Sequence, residues 1–321
     1  MKPKDFRKLS AAVKELIPHQ RQVLKDRLQP AAQAPASCHR VPEKPICPNC
    51  KDEKVSRWGF ANGLQRYRCS ACRATLNALT DTPQAGLRYK AKWIEYAAER
   101  AAGTSVRKSA AAVGIHPNTA FRWRHRFLAL PSAEQATRLA GIAEADETYF
   151  LESQKGKRQG LARAPRKRGG KASKRGTSEE QTAVLICRDR AGNTANFVLE
   201  KTDKAHIGAV LKPLLATDVI LCTDGAKSLA AVAKEMGIAH HPVNLAVGQR
   251  VVAGVYPVRN VNAYDSRLKE WMRRFHGVAT HYLANYLGWR RLIERHEQDI
   301  SPTEFFRAAL GMDGVQHATV T

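Results

Sequence analysis

The stretch Thr217-Asp218-Val219-Ile220-Leu221-Cys222-Thr223-Asp224-Gly225 decides the fold of this chain. Its run of consecutive apolar residues is typical of a buried strand. The run ends in Asp224 and Gly225, which projects a carboxylate from a rigid edge, as in the metal sites of phosphoryl-transfer enzymes. A polar turn would contain the same two residues. A metal site is therefore indicated only if other residues converge on Asp224.

A second acidic strand is predicted at residues 141–150, where Glu144, Asp146 and Glu147 occupy the middle of the run. A carboxylate buried in a strand is costly, so such an acid needs a partner or a metal ion. Asp146 is the candidate ligand, and Glu144 and Glu147 are alternatives to it. An edge strand with solvated acids would also explain the pattern.

The elements around these acids alternate between strands and helices. Strands are predicted at 182–188, 194–199 and 240–245, and helices at 203–215, 227–236 and 260–277. This is the order of an RNase H-like domain, a mixed five-stranded sheet with helices, whose first and fourth strands lie side by side. Asp146 and Asp224 would then face each other. On the last helix, Asn262 and Lys269 are seven residues apart and share one face with Asp265.

The composition indicates the kind of partner. The formal net charge of +24 favours a polyanion, most simply nucleic acid. No run of about 18 apolar residues is present and residues 1–5 lack a secretory h-region, so neither a membrane span nor export is predicted. Four of the seven cysteines form a metal-type pattern, which favours a reducing compartment. We expect a cytoplasmic protein associated with the nucleoid.

A zinc ribbon is predicted at residues 45–76, with a hairpin turning at Asn62-Gly63. The cysteine spacing C-x2-C-x18-C-x2-C supplies four thiolates to one tetrahedral zinc ion: Cys47, Cys50, Cys69 and Cys72. Four unrelated thiols would require two coincident C-x2-C pairs. The ion would be structural, because four cysteines leave no open coordination position.

A helix-turn-helix is predicted within residues 86–130. Small residues from Ser105 to Val113 allow close packing, and the turn at Gly114 leads into a second helix from about Asn118. The basic residues of this second helix are predicted to be exposed, and such a recognition helix suits the major groove. The candidate DNA-binding residues are Asn118, Arg122, Arg124 and Arg126. An ordinary helical hairpin with a solvated basic face is the alternative.

A basic insertion occupies residues 155–178, which contain ten lysines or arginines and no acid. Such a segment suits phosphate binding, which would make DNA binding salt-dependent. The candidate residues within it are Arg166, Lys167, Arg168 and Lys171. Residues 1–30 are predicted to form a helical N-terminal element, and residues 297–321 a C-terminal helix and tail.

Several motifs together resemble the bacterial insertion-sequence DDE-type transposases of the zinc-ribbon, DD(E/N)K type, the ISXO-like group. The carriers beside the cysteines are Ala145-Asp146-Glu147-Thr148, Thr223-Asp224-Gly225, Asn262-x6-Lys269, Phe275–Thr280 and Tyr286–Arg290. The resemblance implies a catalytic domain over residues 138–296. It also implies a transposase that binds the terminal inverted repeats of its element, cleaves DNA strands and transfers them into target DNA.

The same resemblance implies a catalytic site. Asp146 and Asp224 would hold two Mg²⁺ or Mn²⁺ ions, and Lys269 would hold a phosphate. Transposases of this class usually have glutamate as third ligand, where this chain has Asn262, and Asp265 is the alternative because it keeps a carboxylate. A homodimer or larger assembly would bring two element ends together.

Two other functions fit the same residues. One is a non-catalytic DNA-binding regulator built on the ribbon and the helix-turn-helix. The other is an RNase H-fold nuclease or resolvase, which would cleave branched DNA without strand transfer. Metal-dependent nicking and joining of element-end DNA separates these functions from transposition.

Overall fold

The computed structural model describes residues 45–157, 159–161, 163–164, 170, 172–173, 178–243, 251–252, 256–297 and 299–312. The predicted N-terminal helical element and four candidate DNA-binding residues lie outside them: Arg166, Lys167, Arg168 and Lys171. The chain divides into two compact units, residues 1–130 with 296–321, and residues 131–295.

The first unit contains a small antiparallel sheet. Its strands β1 (Val55–Ala61), β2 (Leu64–Cys69) and β3 (Thr75–Leu76) lie in the order β1-β2-β3. β1 and β2 form the expected hairpin, whose turn residues Asn62 and Gly63 have φ of 51° and 75°. Asparagine followed by glycine suits this turn, because both positions are left-handed.

Three helices follow in the same part of the chain: α1 (Trp93–Ala101), α2 (Val106–Val113) and α3 (Pro117–Ala133). The side chain of Ser105 caps α2, and Gly114 ends it at φ 63°, which permits the tight turn into α3. The aromatic side chains between α1 and α3 are nearly inaccessible to solvent and form the core: Trp93, Tyr96, Trp123 and Phe127.

The second unit is built on a five-stranded sheet in the order β6-β5-β4-β7-β8. Its strands are β4 (Ile142–Leu151), β5 (Gln181–Asp189), β6 (Thr194–Leu199), β7 (Ile220–Thr223) and β8 (Ala239–Pro242). β4 is antiparallel to β5 and parallel to β7, so the first and fourth strands are neighbours as the sequence predicted. A separate two-stranded ladder joins β9 (Val251–Val252) and β10 (Tyr256–Pro257), and the sequence did not predict it.

Helices cover both faces of this sheet. One face packs against α4 (Lys204–Leu214) and α5 (Lys227–Met236), through a core that includes Leu185, Leu211 and Val232. The other packs against α6 (Arg259–Arg273) and α7 (Leu283–Arg295), through residues such as Ile186, Tyr264 and Leu287. The mixed sheet between two helical layers is the predicted RNase H-like fold.

The last described helix, α8 (Pro302–Ala309), begins with the predicted capping box of Ser301 and Glu304. It packs on α1 in the first unit, where the rings of Trp93 and Phe306 lie 6.0 Å apart. The side chain of Gln84 donates to the Ala309 carbonyl at 2.8 Å. The helix α8 is therefore part of the first unit's core. No helix among the described residues is long and apolar enough to cross a bilayer.

Candidate functional site

Three carboxylates meet at one end of the five-stranded sheet. Side-chain oxygens of Asp146, Glu147 and Asp224 lie within 4.8 Å of one another. Asp146 and Glu147 are partly buried in β4, and Asp224 is exposed directly after β7. Acids at this spacing repel one another without a cation, and oxygen ligands suit hard divalent ions. The donor set therefore fits Mg²⁺ or Mn²⁺.

The parallel pairing of β4 with β7 brings Asp146 beside Asp224. The hydrogen-bonded register ends two residues before each acid, so continuing both strands places the acids level with each other. Gly225 then turns the chain at φ 89°, and the Asp224 carboxylate accepts the N–H of Ala226 at 3.0 Å. Glycine suits this turn, because L side chains rarely adopt this φ.

Burial and mutual repulsion raise the proton affinity of two of these acids. Desolvation and the charge of Asp224 raise the pKa of Asp146 to about 6. Desolvation, Asp224 and Asp146 together raise the pKa of Glu147 to about 7. Asp265 also raises the pKa of Asp146, and Lys269 lowers it, so charges on α6 act on the same group. Without a cation, both carboxyl groups hold protons well above their usual pH range.

The helix α6 presents the remaining predicted site residues. Asn262 and Asp265 are partly buried, and Lys269 is exposed. Lys269 Nζ donates to Asp265 Oδ2 at 2.7 Å. Among the described residues, Asp265 Oδ1 is buried and has no hydrogen-bond partner. Because an unpartnered buried carboxylate oxygen is costly, Asp265 keeps a free acceptor that would suit a cation.

Both ends of α6 are held by charged side chains of β4 and of the loop that follows it. At the N-terminus, the fully buried Glu144 carboxylate accepts the N–H of Val261 at 2.9 Å. Beyond the C-terminus, Lys155 Nζ donates to the carbonyls of residues 275–277, in the turn that follows α6, at 2.8 to 3.3 Å. The Glu144 carboxylate complements the positive end of the helix dipole, and Lys155 fixes the turn that follows the helix. Sequence reasoning treated Glu144 as an alternative ligand and Lys155 as part of a phosphate-binding arm, but these contacts engage both with α6.

A cavity of about 770 Å³ adjoins Lys269. Its walls come from the end of β4, the loop from Glu152 to Arg163, and the C-terminal part of α6. Arg163 is paired with Glu152 at 3.1 Å. The other charged side chains that line the cavity are basic, and they include Lys157 and Arg273. The cavity therefore extends the positive surface beyond the carboxylate group.

A second group of metal-type ligands lies in the first unit. The sulfur atoms of Cys47, Cys50, Cys69 and Cys72 lie within 4.8 Å of one another. The Sγ atoms of Cys47 and Cys72 are 3.5 Å apart, as are those of Cys50 and Cys69. A zinc tetrahedron with Zn–S bonds of about 2.3 Å has edges of roughly 3.8 Å. The four thiols therefore fit one structural zinc ion.

The candidate DNA-binding residues of α3 occupy different environments. Asn118 and Arg122 are exposed and four positions apart, so they share one face of the helix. Arg124 was predicted to be exposed, which is wrong: it is 2% exposed, and Nη2 donates to the Thr104 carbonyl at 2.8 Å. Arg126 is exposed, but its guanidinium donates to the carbonyls of residues 83 and 85. The face formed by Asn118 and Arg122 is therefore the better candidate for base contacts.

Sequence reasoning missed one aspect of the carboxylate group. It treated Glu147 as an alternative to Asp146, whereas the structure brings both acids to Asp224. Neighbouring residues of a strand normally point to opposite faces, so strand alternation gave no reason to expect both. The sequence indicates that both acids could join the group only in that Asp146 and Glu147 are adjacent.

Comparison with known proteins finds a family model for each of two parts of the chain. Residues 138–290 match the ISXO2-like transposase domain, and residues 85–137 match a homeodomain-like domain. The chain therefore carries an ISXO2-like DDE transposase domain preceded by a helix-turn-helix domain, as the sequence motifs predicted.

Individual proteins that resemble this chain share little sequence identity with it. An uncharacterized protein in the transposable element ISH50 of Halobacterium salinarum is 25% identical over 245 residues, which cover 75% of this chain and 82% of that protein. A pre-cleavage Mos1 transpososome has a TM-score of 0.26 and 10% identity, over 68% of this chain and 74% of that chain. A Mos1 transposase paired-end complex with the left transposon end has a TM-score of 0.19 and 13% identity, over 66% and 77%. At these TM-scores, the two structural likenesses support no argument about this chain.

Proposed function

We propose that this chain is a DNA transposase that binds the terminal inverted repeats of an insertion sequence and catalyses metal-dependent strand cleavage and strand transfer. The observation that carries the proposal is the group of Asp146, Glu147 and Asp224, whose oxygens lie within 4.8 Å inside an ISXO2-like transposase domain. A transposition enzyme needs such a group at a strand end, because the ions must be held rigidly against the scissile phosphate.

Each side chain of the site has a separate task in this proposal. Asp146 and Asp224, with Asn262 as third ligand, hold two Mg²⁺ or Mn²⁺ ions. When bound, such ions activate the attacking oxygen and stabilise the leaving oxygen of an in-line phosphoryl transfer. Lys269 contacts a phosphate beside the cut, and Asp265, 2.7 Å from its ammonium, orients it. The DNA strand that carries this phosphate continues along the basic cavity that adjoins Lys269.

The DNA partners are the element ends and the target duplex. Asn118 and Arg122 contact bases from the exposed face of α3, and the basic segment 155–178 neutralises phosphates. Arg166, Lys167, Arg168 and Lys171 remain predicted contacts within that segment. Two ends must be joined in one reaction, so we expect a homodimer or larger assembly in the synaptic complex, formed on nucleoid DNA in the cytoplasm.

The test is a cleavage and joining assay on duplexes that carry the inverted repeats flanking the gene. We expect nicking at the repeat ends and joining to a target plasmid, both dependent on Mg²⁺ or Mn²⁺. Asp224→Ala should abolish both reactions and leave duplex binding intact. Asp218→Ala is the matched control, because Asp218 is an exposed acid just before β7 and outside the carboxylate group; it should retain activity.

Three other outcomes would contradict the proposal in different ways. Repeat binding without metal-dependent cleavage would indicate a regulator. Cleavage of branched DNA without joining would indicate a nuclease or resolvase. Nicking that persists in Asp224→Ala would show that the carboxylate group is not the catalytic site.

A further inference from the structure

The zinc ribbon exposes two large aromatic side chains on one strand. Trp58 and Phe60 of β1 are 46% and 75% exposed, and every residue from 56 to 60 is exposed. β1 is also an edge strand of its sheet. Single exposed apolar residues are common, but aromatic side chains grouped on a small module mark an interaction surface. We call this element, residues 55–69, the ribbon hairpin.

A β-bulge directs the two aromatic side chains to opposite faces of the ribbon hairpin. The pairing register shifts around Gly59, which has φ 69°. The ring of Trp58 lies 4.6 Å from the guanidinium of Arg68, whereas Phe60 pairs with Gln65. Paired residues of antiparallel strands share a face, and positions 65 and 68 point to opposite faces of β2. Each face therefore carries one exposed aromatic side chain.

The charge of this region has a single sign. Residues 54–80 contain no acid, and their charged residues are Lys54, Arg57, Arg66, Arg68 and Arg73. Arg66 Nε donates to the Trp58 carbonyl at 3.2 Å, and Arg68 stacks on the Trp58 ring. These contacts hold two guanidinium groups against the hairpin without neutralising them. The hairpin is therefore complementary to a polyanion.

We propose that the ribbon hairpin is a second DNA-contacting element, which enters a groove of the duplex. The major groove admits a two-stranded β-ribbon, and phosphates line both of its walls. Basic side chains would contact those phosphates, while Trp58 and Phe60 would contact sugars and base edges. The proposal rests on the proposed function only in taking double-stranded DNA as the partner.

A second copy of this chain is a weaker occupant of the same surface. Pairing of two β1 edges would bring Arg57 of each copy and its basic neighbours together with no acid between them. Like charges opposite one another destabilise a strand pair. Charge complementarity thus favours DNA over self-association.

The ribbon hairpin is also held in one conformation before it binds. Lys90 Nζ donates to the Asn62 carbonyl at the turn, at 2.9 Å. At the base, Cys69 ends β2 within the group of four thiols. An element fixed at both ends loses little conformational entropy on binding, which increases its affinity.

The test measures the affinity of full-length protein for a labelled terminal-repeat duplex by fluorescence anisotropy. We expect Phe60→Ala to weaken binding several-fold, and Trp58→Ala with Phe60→Ala to weaken it at least about tenfold. Val198→Ala is the matched control, because Val198 is a 42% exposed apolar residue on the edge strand β6; its affinity should be unchanged. Bound zinc and circular dichroism of each variant verify that the ribbon is folded.

An affinity within twofold of wild type for the folded double variant would overturn the proposal. A change in sedimentation from dimer to monomer, with unchanged DNA affinity, would overturn it in favour of a protein interface. Arg122→Ala serves as the reference for the helix-turn-helix. If Arg122→Ala weakens binding and the hairpin variants do not, the ribbon inference fails and the proposed function stands. If wild-type protein does not bind the repeats, the proposed function itself fails.

Discussion

Three side chains are candidates for completing a metal site with Asp146 and Asp224, and they differ in what they offer a metal ion. Asn262 offers a neutral carbonyl oxygen. Asp265 offers a carboxylate that Lys269 partly neutralises, with one oxygen unpartnered among the described residues. Glu147 already lies among the acids, with its pKa raised to about 7. A site completed by an amide carries less negative charge and should hold its second ion more weakly.

Asn262→Ala should lower the cleavage rate in Mg²⁺ by more than about 100-fold, because a metal ligand is lost. Asp265→Asn should cost only about tenfold, because it releases Lys269 without removing a ligand. The measurement is single-turnover nicking in Mg²⁺ and in Mn²⁺, with Glu147→Gln as a third variant. Full activity of Asn262→Ala together with inactivity of Asp265→Asn would assign the third ligand to Asp265 instead.

The raised pKa values predict an unusual dependence of stability on pH. The folded-state pKa of Asp146, about 6, lies above its ordinary value of 3.8, so the folded protein binds this proton more tightly than the unfolded chain. The resulting stabilisation is complete below about pH 4 and is lost as pH rises through about 6, and through about 7 for Glu147. The carboxylate group therefore destabilises the metal-free protein at neutral pH.

Asp146→Asn should restore part of the stability that the metal-free protein loses as the pH rises. In buffer without Mg²⁺ or Mn²⁺, the variant should be more stable than wild type at pH 8 by roughly 1–3 kcal/mol, and nearly equal at about pH 3.5. Chemical denaturation at the two pH values measures the difference. Added Mg²⁺ should stabilise wild type more than the variant. Parallel pH profiles for the two proteins would contradict the assignment.

At the scale of elements, α7 approaches the chain around residue 132 more closely than side chains allow. A Cβ at Gly288 would overlap the backbone of Pro131 and Ser132. One turn later, the buried Arg291 donates to the Ser132 carbonyl at 2.9 Å and to Asn196 Oδ1 at 2.9 Å. The glycine therefore permits an approach that the arginine then fixes.

Gly288→Ala should destabilise the protein by roughly 1–3 kcal/mol, because backbone must move to admit the methyl group. Gly208→Ala in α4 is the matched control. A Cβ at Gly208 meets only side-chain atoms of Lys212 and Val232, at 3.6 Å, and alanine favours the helix by about 1 kcal/mol over glycine. Thermal unfolding should show opposite shifts. Equal shifts would mean that the close approach is not rigid.

Most of these elements follow from local patterns. The apolar run before Asp224, the hairpin of β5 and β6, and the capping box at Ser301 are each set by neighbouring residues, so they could be predicted. The burial of Arg124 could not, because it depends on a carbonyl twenty positions away, at Thr104. A basic residue in a helical pattern otherwise indicates a solvated face.

Contacts distant in sequence explain the other differences. The buried Glu144 looked like a possible ligand, but its carboxylate binds the N-terminus of α6, 117 positions later. The packing of α8 on α1 joins residues more than 200 positions apart, as in the contact of Trp93 with Phe306. Amphipathic periodicity shows that a helix has an apolar face, but not which surface covers it.

At the scale of the whole molecule, the charge of +24 is concentrated in segments that the proposals assign to DNA. They include the ribbon hairpin, α3 and residues 155–178. Each neutralised phosphate releases condensed counterions, so binding by such a chain depends strongly on salt. Roughly 6 to 10 phosphate contacts would give a slope of about −5 to −9 in log K against log salt concentration.

Arg122→Ala should weaken duplex binding, and should reduce this slope by about 1 if Arg122 contacts a phosphate. Arg124→Ala should instead lower the thermal midpoint, because it removes a buried hydrogen bond to Thr104. Anisotropy titrations at salt concentrations between about 50 and 300 mM give the slope for each of the two variants. A reduced slope in the folded Arg124 variant would contradict its buried position.

The contacts around α6 also bear on how one site would perform the two successive reactions of the proposed function. Glu144 binds the N-terminus of α6 and Lys155 binds the turn that follows it, so the helix that carries Lys269 is tied to the strand that carries Asp146 and to its loop. In hydrolysis, water attacks a phosphate at the element end, whereas in joining the 3′-hydroxyl released by that cleavage attacks a phosphate of the target DNA. We expect the site to adjust between the two reactions at Asp224, which is exposed and is followed by a glycine turn, rather than at α6.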